Sequence, residues 1–277
     1  MNTLIIAQLT IRETQRRRIL WLTLLLALGF LVVFGLGFHY VYLDASKSFR
    51  DEAQRDLFVS VLMTAGLYAI NFLIIVIAVL ISVTAVSGEI DSHTIEAILT
   101  KPIRRWELIM GKWLGYAALL FVYTVLLTGG IMLYVYLRAG FTAQNLAAGM
   151  GLMVLQGWVI LTLTIAGGTR LSTLANGVMA FMMYGIAFIG GWVEQIGALL
   201  RNETAVNIGI VTSLIMPGEI LWKKALALFN PGLTGSPFNI GPFAIASQPS
   251  NLMLAYAVVY LLVLLALTLV SFSHRDL

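Results

Sequence analysis

The chain has 277 residues, of which 60% are hydrophobic and only 11% charged, with a net charge of +4 and no cysteine. Soluble domains carry about 25% charged residues, so this composition describes an integral membrane protein. It excludes disulfides, thiolate metal sites and a thiol nucleophile, and no basic, aromatic-interleaved surface points to nucleic acid.

A helix needs roughly 20 apolar residues to cross a hydrocarbon layer about 30 Å thick, because lipid offers the backbone no hydrogen-bond partners. Six stretches meet that requirement. They predict an all-α integral membrane protein with transmembrane helices over 19–43, 57–86, 113–137, 146–168, 171–200 and 252–272. Ahead of them, residues 1–18 read MNTLIIAQLTIRETQRRR, with Gln8, Arg12, Gln15 and Arg16 at helical spacing and Ile5, Leu9 and Ile19 elsewhere on the wheel. Two readings stay open here: a helix lying along the inner interface, or a positive flank that only sets topology. The first span is too long for a signal-peptide core of roughly 7 to 15 residues and no small-x-small site follows it, so it is read as retained. Spans two and five exceed the minimum and must tilt, kink or protrude.

Between spans two and three, residues 87–112 gather Glu89, Asp91, Glu96, Lys101, Arg104, Arg105, Glu107 and Lys112. Asp91 or Ser92 can cap a helix, Ile95, Ile98 and Leu99 follow at i, i+3, i+4, and Pro102 disfavours helix at Lys101. Arg104 and Glu107 share the next turn, and Lys112 is expected to snorkel to water at the inner edge of span three. A charged amphipathic helix in a connector predicts a surface that touches a partner; the alternative is a solvated interfacial helix. Glu89, His93 and Glu96 also fall on one helical face, and His93-x-x-Glu96 has metal-pair spacing. No other span supplies a carboxylate near that depth, so no metal site is expected.

Further along, Gly111 and Gly115 form a GxxxG pair expected to serve packing, and Asn71 and Gln156 are expected to make interhelical hydrogen bonds. Glu194 sits near the outer end of span five beside Gln195. Interfacial placement is the expected reading, and a substrate-site carboxylate is the other. The segment 201–251 is long for a connector. In it Pro217 opens a short helix, EILWKKALALF, whose Trp222, Lys223 and Lys224 suit the bilayer surface, and a Gly/Pro-rich run leads to Pro249. With the N-terminus inside, ten Lys and Arg fall on the cytoplasmic side and seven outside, which places both termini in the cytoplasm by the positive-inside rule.

The run SGEIDSHTIEAILTKPIRRWELIMGK, residues 87–112, resembles the signature of type-2 ABC transporter permeases. Glu89, Thr94, Glu96, Ile98, Leu99, Pro102, Arg105, Glu107, Gly111 and Lys112 fall on pattern positions. His93 departs from it, where the family often has glycine. The resemblance extends to an N-terminal interface helix, a short charged C-terminus, FSHRDL, and short, partly inserted outer helices between spans five and six. It implies a multi-pass permease of the prokaryotic cytoplasmic (inner) membrane, of the kind paired with a separate ATPase chain. Loop 87–112 would then hold the coupling helix, with Glu89, Thr94, Glu96, Ile98, Leu99 and Pro102 at the ATPase and Arg104, Arg105 and Lys112 anchoring the loop. The expected partners are two copies of an ABC-type ATPase, a second copy of the chain as a homodimer, and membrane lipid. The chain contains no G-x-x-x-x-G-K-[ST] phosphate loop. It is therefore expected to be no enzyme and to hold no cofactor, ATP and Mg being bound by the partner. Transport of a substrate, outward, is the expected function. A membrane scaffold that transmits ATPase motion to an extracytoplasmic partner is the alternative, and an intramembrane enzyme is disfavoured because no paired carboxylates sit at one depth.

Overall fold

The computed structural model describes residues 2–48, 51–88, 104–230 and 249–273. Every regular element in them is an α-helix: α1 Asn2–Arg16, α2 Arg18–Ser48, α3 Glu52–Ser82, α4 Arg105–Ala139, α5 Leu146–Gly168, α6 Thr173–Leu199, α7 Glu203–Ile215, α8 Gly218–Phe229 and α9 Asn251–Ser273. The six helices α2, α3, α4, α5, α6 and α9 are long and apolar enough to cross a membrane.

Helix ends follow capping chemistry more than the edge of the apolar run. The α3 helix starts at Glu52, ahead of the apolar residues at 57, because the Asp51 carboxylate accepts the Ala53 N–H at 3.2 Å. Likewise α4 starts at Arg105, not at 113, because the Glu107 carboxylate accepts the Arg104 N–H at 3.1 Å. It stops at Gly140, whose φ of 68° is a left-handed cap open to glycine at little cost.

Apolar side chains decide which helices are central. The apolar stretches of α3 and α5 are 61% and 56% buried inside the bundle, against 22% for α2 and α9. On α2 the residues Leu22, Leu25, Leu26, Val32, Val33 and Leu36 are all exposed, a face that suits lipid. Indole and phenol groups then tie the helices crosswise: Trp113 Nε1 donates to Thr162 Oγ1 at 2.8 Å, Trp158 Nε1 to the Ala117 carbonyl at 3.1 Å and Tyr134 Oη to the Gly35 carbonyl at 2.6 Å.

The first helix is docked to the bundle. A Cβ at Gly111 would lie 2.6 Å from Ile6 Cβ, and one at Gly115 only 2.9 Å from the Ala7 carbonyl. Glycines are what let α1 lie against α4 at backbone distance. The buried face of α1 is Ile6, Ala7, Thr10 and Thr14, whose hydroxyls fold back onto the carbonyls of Ile6 and Thr10. Gln8 and Arg12 remain exposed, as do Leu4, Ile5 and Leu9.

Two shorter helices fold back into the bundle. Helix α7 runs antiparallel to α6 at glycine-mediated distance, Gly197 meeting Ala205 and Gly190 meeting Thr212. Pro217 cannot continue the helix, and α8 leaves at 107° to α7. It then returns along α5, from Gly218 beside Gln156 to Phe229 against Gly149. The pair forms an elbow whose turn reaches the middle of α5.

Candidate functional site

Of the residues assigned to coupling, Glu89, Thr94, Glu96, Ile98, Leu99 and Pro102 lie outside the described residues, as does the Glu89, His93, Glu96 face. The three anchoring residues are described. Arg104 is exposed and Arg105 half-buried at the start of α4. Lys112 is only 5% exposed and does not snorkel to water: its ammonium donates to the Ala85 carbonyl at 2.6 Å. The carbonyls just past the end of α3 have no helical partner, so this lysine joins the two ends of the loop. Two further links reach the same place. Arg17 Nη1 donates to Thr84 Oγ1 at 2.5 Å, and the Ser87 and Thr173 hydroxyls meet at 2.9 Å.

At the far end of α6, about 30 Å away at 1.5 Å per residue, lies a second polar site. Glu194 is buried among the helices, and its carboxylate accepts from Lys223 Nζ at 2.8 Å. The same ammonium donates to the Gly191 carbonyl at 3.2 Å. Lys223 belongs to α8, which was expected at the bilayer surface. There Trp222 is 0% and Lys223 4% exposed. The surface expectation fails because the turn at Pro217 drives α8 between α5, α6 and α9.

One turn before Lys223 stands Glu219, also buried, with its side chain pressed on Gly191, where a Cβ would come within 2.6 Å of Glu219 Cγ. Its Oε2 has no hydrogen-bond partner. Glu219 lies within electrostatic reach of Lys223 and Glu194, and of Tyr68 on α3 and Tyr184 on α6. Two carboxylates thus share one depth around one lysine, which the sequence reading had excluded. Across the elbow, the Gln156 carboxamide is fully buried with neither its oxygen nor its nitrogen paired, and Asn71 Oδ1 is unpaired too. The expected interhelical bond is therefore absent at Gln156 among the described residues. Trp222 rests edge-on against Tyr68 at 4.8 Å between ring centres, one turn from Asn71.

Such a cluster is costly in a membrane interior. A buried polar group without a partner costs roughly 1–3 kcal/mol, and an ionisable group inside a span is functional by default. The signal available in sequence was Glu219 and Lys223 at i, i+4 on a helix otherwise apolar, EILWKKALALF. That spacing reads equally as a surface ion pair, which is why the depth was missed.

A family model described as an ABC-2 family transporter protein matches residues 4–277. The chain belongs to this ABC-2 transporter family. It is therefore a membrane subunit of an ABC transporter, a multi-pass permease for which pairing with an ABC ATPase subunit is implied. No curated protein matches the chain. In this ABC-2 permease the polar site and the tied loop stand at opposite ends of α6, whose first residue, Thr173, meets Ser87 and whose later turns carry Glu194.

Proposed function

We propose that the permease homodimerises in the cytoplasmic membrane of a prokaryote, with both termini inside. It engages two copies of a separate ABC ATPase through loop 87–112 and exports a substrate by alternating access. ATP and Mg bind to the ATPase. Glu89, Thr94, Glu96, Ile98, Leu99 and Pro102 form the contact, with the aliphatics at its apolar centre and the charged groups around it. Arg104, Arg105 and Lys112 hold the loop to the bundle.

The observation that carries this reading is the bracing at both ends of the charged loop. Lys112 bonds to Ala85, Ser87 meets Thr173, and Glu107 closes the start of α4. A solvated connector has no use for such bracing, whereas a loop that receives a push needs it.

The test is titration of the purified permease with its ATPase in detergent. Glu96→Arg reverses a charge at the contact, and Ile98→Asp places an unpaired carboxylate in its centre, at a cost of several kcal/mol if buried. Both should weaken ATPase binding at least tenfold while membrane insertion persists, and Glu203→Arg, in the outer segment, should leave it intact. Wild-type affinity in both loop variants would return the loop to a solvated helix.

A further inference from the structure

Helices α2, α3 and α4 pack unevenly along their length. In one half α2 and α4 meet closely: a Cβ on Gly130 would stand 3.3 Å from Leu31, and Tyr134 Oη donates to the Gly35 carbonyl at 2.6 Å. In the half nearer the α1–α2 bend the three helices part, leaving a groove of about 460 Å³ between Leu24 of α2, Ile77 and Ile81 of α3, and Val122 and Leu126 of α4. Trp21, Val122 and Leu126 on its rim are exposed, so the groove opens on the flank of the spans, toward lipid.

Its walls are hydrocarbon. The polar atoms of its two aromatic side chains are turned to the backbone: Trp21 Nε1 donates to the Gln15 carbonyl at 2.9 Å and Tyr123 Oη to the Thr23 carbonyl at 3.5 Å. From Leu119 to Leu126, both lining residues, the groove follows α4 for about 10 Å at 1.5 Å per residue. A helix with its side chains, about 10 Å across, would need roughly 800 Å³ over that length. The space suits a hydrocarbon chain and is too narrow for a helix.

The mouth is cationic. Arg16, Arg17 and Arg18 lie between the lining residues Gln15 and Leu20. Arg17 fixes charge at the end of the groove, donating to Thr84 Oγ1 at 2.5 Å, one turn past Ile81. Arg16 and Arg18 beside it are exposed. With Arg12 they make four arginines against the one carboxylate of Glu13, which pairs with Arg17, so three positive charges remain. Trp21 adjoins them, and its amphipathic ring is of the kind that settles at headgroup depth. An apolar slot with a basic mouth at the membrane surface is complementary to a lipid with a negative headgroup.

We propose that this groove holds one acyl chain of an anionic phospholipid, whose phosphate rests on the arginines at the α1–α2 bend. The lipid is a bound component of the permease, independent of which ATPase drives it and of what it exports. It joins α1, α2 and the end of α3 where the charged loop begins.

The experiment uses the purified, delipidated full-length permease in detergent, with thermal unfolding followed as lipid is added. Dioleoyl phosphatidylglycerol should raise the unfolding midpoint by several degrees and saturate near one lipid per chain. Dioleoyl phosphatidylcholine, with the same chains and no net charge, should need a several-fold higher concentration. Val122→Trp, at an exposed position on the rim, fills the groove with an indole and should lose the rise with both lipids; Leu126→Trp is the second plug should the first variant fail to fold. Arg16→Gln combined with Arg18→Gln keeps the groove and the Arg17–Thr84 bond, and should erase the preference for phosphatidylglycerol while leaving the response to phosphatidylcholine. The proposal is overturned if the two lipids act alike on the wild type, if a plugged variant responds as the wild type does, or if the double arginine variant keeps the preference. Soluble glycerol phosphate that reproduces the rise would assign the arginines a free anion and overturn it. A plugged variant whose oligomeric state changes in light scattering, with no lipid effect in the wild type, would give the groove to a second copy of the chain and overturn it equally.

Discussion

Lys223 ties α8 to α6 through a buried charge. Its ammonium is buried, bonded to Glu194 at 2.8 Å and to the Gly191 carbonyl at 3.2 Å. Removing one partner of a buried pair leaves the other charged and unpaired, at a cost of about 3–5 kcal/mol. Lys223→Met should therefore destabilise the permease by that order. The double variant Glu194→Gln with Lys223→Met should recover much of the loss, since both charges then go together. Unfolding of the wild type, Glu194→Gln, Lys223→Met and the double variant in detergent measures the coupling; additive losses would mean that the pair does not act as a unit. What sequence could say about these residues was limited. The short helix EILWKKALALF was legible after Pro217, but burial is set by the direction α8 takes, and that direction is a tertiary property.

At the scale of the element, α1 makes the plainest case. Its sequence displayed a polar face, Gln8, Arg12, Gln15 and Arg16, and apolar residues elsewhere, and both were read as answers to the membrane. The face that matters carries Ile6, Ala7, Thr10 and Thr14, small enough to meet Gly111 and Gly115. Small residues carry little weight in a hydrophobicity pattern, so this face left no trace in it. The glycines were visible as a packing motif, but not what they packed. The six long apolar runs were legible because lipid demands length and apolarity of each span on its own, whereas the helix starts at Glu52 and Arg105 depended on local caps. Gly111→Leu should push α1 off α4, because the added side chain meets Ile6 Cβ and the Thr3 carbonyl. Trypsin should then cut faster near Arg12 and Arg16, seen by mass spectrometry, while α4 itself remains inserted. An unchanged cleavage rate would mean that α1 is held by something other than this seam.

For the whole molecule, orientation organises everything else. The Lys and Arg distribution supports the proposed arrangement, with both termini and loop 87–112 inside. The chain has no native cysteine, so single cysteines at Ser92 and Ser273 should react only with reagents that reach the cytoplasm, and one at Ser236 only from outside. Labelling of Ser92 from outside would invert the proposed arrangement. One charge counted toward the outer side, Lys223, is sequestered in the bundle, so it does not oppose the inside bias as a loop lysine would.

The glycine contacts between α6 and α7 have a mechanical meaning. Gly190 seats Thr212, Gly197 seats Ala205, and Gly209 seats Glu194, so the two helices meet at backbone distance along most of α7. Helices interlocked in this way cannot slide past one another without clashing, and they travel as one stiff beam. Thr173 at one end of that beam touches Ser87, and the elbow hangs from the other. A tilt of α6 begun beside Ser87 would therefore carry α7 with it, and the elbow would move with the far end of the helix.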